Sequence, residues 1–86
     1  MKTIAVVGMS PNPERPSHFV SKYMINHGFK IIPVNPGQKE ILGLRCYPAL
    51  KDIKYEVDIV NVFRNSDYAS PIIQEAISIK AKAIWL

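Results

Sequence analysis

The run Ile4-Ala5-Val6-Val7 is apolar without interruption and stops at Gly8. So short and so continuously apolar a segment reads as a strand buried on both faces, the environment of a parallel sheet. A glycine that closes such a strand, with a helix start beyond it, is how α/β proteins build an anion-binding crevice. The segment that follows, Met9-Ser10-Pro11-Asn12-Pro13-Glu14-Arg15-Pro16, lacks the further glycines of the usual dinucleotide-binding fingerprint. Prolines at 11, 13 and 16 stiffen it instead, which lowers the entropy lost when the loop closes on a ligand.

The rest of the chain alternates β-rich runs with helical periods. Ser17 to His27 reads as a helix, with Phe19, Val20, Tyr23, Met24 and His27 on its apolar face, Ser17 as its cap and Gly28 in the left-handed position that ends it. Lys30–Val34 is a second strand, in which Pro33 lacks a donor and calls for a bulge or an incompletely paired position. A turn at Asn35-Pro36-Gly37 leads to Ile41–Leu44, a short edge strand near Arg45-Cys46-Tyr47, and one helical turn between Pro48 and Ile53. Val57–Phe63 is rich in β-branched residues and reads as a strand. Ser70-Pro71 fits a cap and first helical position, with Ile72, Ile73, Ala76, Ile77 and Lys80 continuing the period, and Lys82–Leu86 is a last strand.

Strand–helix–strand alternation at this spacing predicts an α/β fold, a Rossmann-like three-layer arrangement of about four to five parallel strands between flanking helices. Right-handed crossovers bring the ends of the first strand and of Val57–Phe63 side by side where the strand order reverses. The expected ligand crevice therefore joins Gly8–Arg15 to Phe63–Ser66. With 86 residues the chain makes a single domain, 1–86.

Charge and cysteine content narrow the function classes. The net charge is +4, but the basic residues are scattered rather than clustered with aromatics, which argues against nucleic acid. Cys46 is the single cysteine, so there is no internal disulfide and no cysteine-based metal cluster. His18 and His27 lie half a turn out of phase on one helix and have no cysteine partners, which argues against a metal site. No apolar stretch approaches the roughly 18 residues of a membrane helix, and the start does not resemble a signal peptide, so the expected location is cytoplasmic.

The candidate binding residues follow from the crevice. Gly8 lets a phosphate approach the backbone, and Ser10 and Asn12 add short polar groups beside it. Arg15 suits a forked, charge-assisted pair with phosphate, and Arg64, after Phe63, is a second candidate by position. The same residues also suit a rigid surface loop with solvated arginines. Asn35 ends the second strand where dinucleotide-binding folds usually carry an acid for the ribose hydroxyls. A neutral amide does not repel a phosphate on that ribose, and this favours coenzyme A, with its 3′-phosphate, over NAD. Asp58 lies at the opposite end of its strand, and no nucleophile with a neighbouring base is visible.

The stretch from Val6 to Ser17, then Gly28–Pro36, Ile41-Leu42-Gly43 with Cys46-Tyr47-Pro48, Val57–Val60 with Phe63-Arg64, and Ala81–Trp85 resemble the small CoA-binding proteins. That family has a Rossmann-like domain related to the CoA-binding domain of succinyl-CoA synthetase. The resemblance implies non-covalent binding of coenzyme A or an acyl-CoA by a stand-alone domain without catalysis of its own. By position it implies a CoA site from Gly8, Ser10, Asn12, Arg15, Ser17, Asn35, Pro36, Phe63 and Arg64.

Members usually begin with a helix ahead of the first strand and continue past Trp85 with another helix and a closing strand. This chain therefore resembles a member shortened at both ends, with a sheet incomplete at its C-terminal edge. Apolar residues of the last strand would then face water, which predicts homo-oligomerisation through that edge or marginal stability. Members also tend to have glycine near position 80, and a left-handed Lys80 would cost roughly 1 kcal/mol. Two alternatives stand beside CoA binding: an NAD(P)-dependent oxidoreductase fragment, and a regulatory interaction module whose crevice is empty.

Overall fold

The structure, a computed structural model, describes residues 2–63 and 66–85, with side chains described for 2–63 and 71–85. In chain order the elements are β1 (Thr3–Val7), α1 (Pro16–Asn26), β2 (Lys30–Val34), β3 (Glu40–Ile41), β4 (Leu44–Arg45), a 3-10 turn (Leu50–Asp52), β5 (Ile59–Val62), α2 (Ser66–Ser78) and β6 (Ala83–Trp85). The main sheet has four strands in the order β2-β1-β5-β6, all parallel. The alternation of β1 sorts its side chains into two cores. Ala5 and Val7 pack with Leu50, Val57, Val60 and Ile72 on one face, and Ile4 and Val6 pack with Met9, Ile31 and Ile59 on the other. The result is the expected α/β, Rossmann-like three-layer fold.

The boundary of α1 follows its backbone chemistry. Pro16 occupies the first turn, where its missing N–H costs nothing, and Arg15 is the cap residue with extended backbone and no side-chain cap bond. The helix ends as the sequence predicts: Gly28 has φ +90, its N–H donates to Ile25 (3.1 Å), and the Phe29 N–H donates to Met24 (3.1 Å). That pair of bonds is the Schellman arrangement, which only a residue at ease in the left-handed region closes without strain.

The face of α1 departs from expectation. Phe19 and Tyr23 are 51% and 64% exposed, whereas Ser17, His18 and Ser21 are buried. Small and locally bonded side chains let the helix start lie close to the loop that follows β1. The Ser21 Oγ donates to the Ser17 carbonyl (2.6 Å), and His18 bonds the Ser10 carbonyl (2.9 Å). Each buried polar group is therefore satisfied. Larger apolar residues at those positions would push the helix away.

Pro33 sits in register opposite Val6 with no bulge. β2 is an edge strand of the sheet, so the absent donor faces outward, while the Pro33 carbonyl accepts the Tyr47 N–H (2.9 Å). Between them, β3 and β4 form an antiparallel hairpin whose loop is Leu42-Gly43, with φ +55 and +72. The single turn expected between Pro48 and Ile53 is present at Leu50–Asp52.

The second helix begins at Ser66, four residues ahead of the expected Ser70-Pro71 start, and carries Pro71 inside it. Pro71 has no N–H to give, so the helix runs through it with one backbone bond fewer. Lys80 adopts φ +61, the left-handed conformation that the family resemblance led one to expect. Trp85 on β6 is 47% exposed, in keeping with an uncovered edge.

The end of the sheet away from Gly8 is tied by Asp58. Its Oδ2 accepts the Thr3 N–H (2.8 Å), its Oδ1 meets Lys82 Nζ (3.2 Å), and its carbonyl accepts the Lys82 and Ala83 N–H groups (3.0 Å each). The Thr3 amide first, and Lys82 second, hold the Asp58 carboxyl below the usual carboxylate range. A depressed value means stability that is complete above the unfolded value of about 4 and lost as pH falls through the folded value. Asp58→Asn should therefore lower the melting temperature at pH 7 and flatten its decline on acidification; thermal melts from neutral to acid pH test this. Leu42→Asn and Lys80→Gly should each raise stability by up to about 1 kcal/mol in urea unfolding, because each relieves a left-handed residue.

Candidate functional site

The site lies where β1 and β5 end. From β1 the chain crosses to β2 on one side, and from β5 it crosses to β6 on the other, so the order reverses between them. Two backbone bonds hold this end: the Gly8 N–H donates to Val34 and the Phe63 N–H to Val7, both at 2.8 Å. Gly8 then turns away with φ +84, a conformation that strains any residue with a Cβ. Met9 follows with no exposed surface and anchors the loop in the core beneath α1.

Beyond Met9 the loop is held by its own short polar side chains. The Ser10 N–H donates to the Ser17 Oγ (2.9 Å), the Asn12 N–H to the Ser10 Oγ (3.1 Å), and the Glu14 N–H to the Asn12 Oδ1 (3.0 Å). The Ser10 carbonyl accepts the His18 Nδ1–H (2.9 Å), and since a carbonyl only accepts, Nδ1 carries the proton. Ser17 is thus a brace across the loop rather than the helix cap the sequence suggests.

A cavity of about 330 Å³ opens over this frame, lined by Gly8, Ser10, Arg15, Pro16, Ser17 and Phe63. It combines a glycine with positive φ, the positive end of α1, one guanidinium and one aromatic wall. These features suit an oxyanion attached to a partly apolar body. A second, smaller cavity of about 150 Å³ lies on the opposite face of the sheet end, lined mainly by Val7, Val34, Pro36, Pro48, Leu50 and Ile72, with Glu75 among its walls.

The structure thus brings Gly8, Ser10, Arg15, Ser17 and Phe63 into one cavity and places Pro36 in its neighbour. Asn12 and Asn35 line neither cavity and act on loop geometry instead. Arg64 lies outside the described residues. Asn35 uses both ends of its amide: Nδ2 donates to the Met9 carbonyl (3.0 Å) and Oδ1 accepts the Gly37 N–H (2.9 Å). A carboxylate there would set an acceptor against the Met9 carbonyl, a reason for an amide that is independent of any ligand. The Cys46 thiol is buried, donates weakly to the Asn35 carbonyl (3.5 Å), and burial pushes its pKa up, so it is no thiolate nucleophile.

Sequence reasoning passed over His18 as a loop brace and missed Pro48, Leu50 and Glu75 as cavity walls. The Val34–Tyr47 bridge, which brings Pro48 beside Pro36, is a long-range pairing with no local signal. His18, by contrast, stood beside a polar loop and could have been read as its partner.

A reversed strand order, a glycine turn and a helix start beside one arginine define a Rossmann-like α/β domain. The match to the family model for the CoA binding domain runs from residue 2 to residue 86, and the chain belongs to that family. An uncharacterized protein of Bacillus subtilis strain 168, YneT, is 46% identical over 98% of this chain and 62% of its own length. A stretch amounting to 9% of an ADP-forming acetate–CoA ligase II of Archaeoglobus fulgidus is 42% identical over 67% of this chain. The solved structure of a hypothetical protein from Pyrococcus horikoshii OT3 superposes with a TM-score of 0.96 at 40% identity, covering 99% of this chain and 60% of that one. The chain therefore spans about three-fifths of the length of such relatives. Among the described residues, no helix is long and apolar enough to cross a membrane.

The double use of Asn35 makes a prediction. Asn35→Ala leaves the Met9 carbonyl without its donor and should cost about 1–3 kcal/mol in urea unfolding. Asn35→Asp should be at least as damaging at pH 7 and should recover relative to the alanine variant in acid, where a protonated carboxyl can donate again.

Proposed function

We propose that this chain binds coenzyme A or an acyl-CoA non-covalently, as a cytoplasmic module with no catalysis of its own. The observation that carries the reading is the cavity at the strand reversal, where Gly8, Ser10, the first turn of α1, Arg15 and Phe63 converge in a chain of the CoA binding domain family. Phosphate sits against the N-terminal turn of α1, where Pro16 and Ser17 line the cavity and the Ser17 N–H has no backbone carbonyl partner among the described residues. Arg15 lies beside it for a charge-assisted contact, and Phe63 supplies the apolar wall. The adenosine end extends toward the end of β2 at Pro36, as in other folds of this architecture. The amide of Asn35 adds no negative charge there, which suits a ribose carrying a 3′-phosphate.

The ligases among the relatives are named for CoA chemistry, which supports the ligand class without assigning a reaction to this chain. Absence of the further glycines and of an acid at position 35 weighs against NAD, and calorimetry with NAD and NADP as controls separates CoA from both dinucleotides. Wild-type protein should bind CoA and neither dinucleotide. Arg15→Ala should weaken CoA binding about tenfold, the worth of one hydrogen bond to a charged group, with the circular dichroism spectrum unchanged. Retained full affinity in that variant would remove Arg15 from the phosphate site.

A further inference from the structure

The smaller cavity has a composition that the phosphate site does not explain. Its walls come from Val34, Pro36, Pro48, Leu50 and Ile72, and Glu75 stands among them as the one charged side chain. The carboxylate is oriented: its Oε1 accepts the Lys51 N–H (3.1 Å), at the 3-10 turn that follows Pro48. Among the described residues, neither an ion pair nor a further hydrogen bond engages it. An apolar slot with one fixed acceptor takes a flat apolar body carrying an N–H donor. An acyl chain would offer the carboxylate no donor beyond the Lys51 N–H that it already holds.

Position narrows the body further. Val7 lines this cavity and Gly8 lines the phosphate cavity, so the two meet across the end of β1. Pro36 follows the strand end at which folds of this architecture place the adenosine ribose. A base attached to that ribose would lie near the slot that Pro36 and Pro48 line, the slot in which Glu75 of α2 is the charged wall.

We infer that Glu75 is a specificity-determining residue whose carboxylate accepts a hydrogen bond from the exocyclic amine of adenine and so selects a 6-amino purine over a 6-oxo purine. The inference rests on the CoA reading of the neighbouring cavity. Glu75 sets an acceptor against the 6-oxo group, which a carboxylate at neutral pH has no proton to meet, so the 6-oxo purine keeps only its N1–H, one ring position away, as a donor on that edge.

The test compares CoA with its hypoxanthine counterpart by calorimetry, on the wild-type chain and on Glu75→Gln. Wild type should favour CoA by roughly tenfold, and the glutamine, which can donate to a 6-oxo group, should cut the preference to about twofold or reverse it. Equal binding of both ligands by wild type would overturn the assignment while leaving CoA binding intact. An unchanged preference in Glu75→Gln would also overturn it, and would make Glu75 a brace for Lys51 alone. Failure of wild type to bind either ligand would instead sink the CoA reading and this assignment with it. The wild-type comparison does not depend on the variant folding.

Discussion

The end of β1 is gripped from both sides by hydrogen bonds of 2.8 Å, one from Gly8 to β2 and one from Phe63 to its last carbonyl-bearing residue, Val7. Everything at the site depends on that grip. Because the crossovers leave β1 and β5 in opposite directions, the strand ends become the floor of a crevice. Gly8 then lifts the chain off the floor, and the loop has nowhere to go except across the seam to α1.

Holding that loop open is a polar task, and the chain performs it with side chains that sequence patterning assigns elsewhere. Ser17, His18 and Ser21 are buried beneath the first turns of α1, where periodicity alone would put aromatics. Their bonds to Ser10 and within the helix fix the loop without the extra glycines of a dinucleotide-binding fingerprint. Proline stiffness and side-chain braces thus replace backbone freedom. Asn35 completes the frame from β2, tying the buried Met9 to the turn at Gly37. The exposed Phe19 and Tyr23, the latter stacked on His27 at 4.3 Å between ring centroids, are the counterpart of this inward polar face.

The two cavities divide the ligand problem between the faces of the sheet. One is polar and lies at the positive end of a helix; the other is apolar and carries a single fixed carboxylate. The carboxylate of Glu75 and the guanidinium of Arg15 therefore line different cavities. Asp58 and Lys82 perform an unrelated task at the far end of the sheet, pinning β1, β5 and β6 together with side-chain and backbone bonds.

The left-handed Lys80 was expected from the family resemblance, whereas local pattern was enough for the strands of the main sheet, the end of α1 at Gly28 and the reversal between β1 and β5. Each depends on residues close in sequence or on the handedness of a crossover, which apolar periodicity and glycine placement report directly. It was also enough to gather Gly8, Ser10, Arg15, Ser17 and Phe63 around one crevice. The buried face of α1, the braces made by Ser17 and Asn35, and the slot between Pro36 and Pro48 were decided only in three dimensions. Those features arise from partners far apart along the chain, such as Val34 with Tyr47 and Lys51 with Glu75, whose pairing leaves no periodic trace. A polar residue can be satisfied by solvent or by the protein, and only the packed chain determines which.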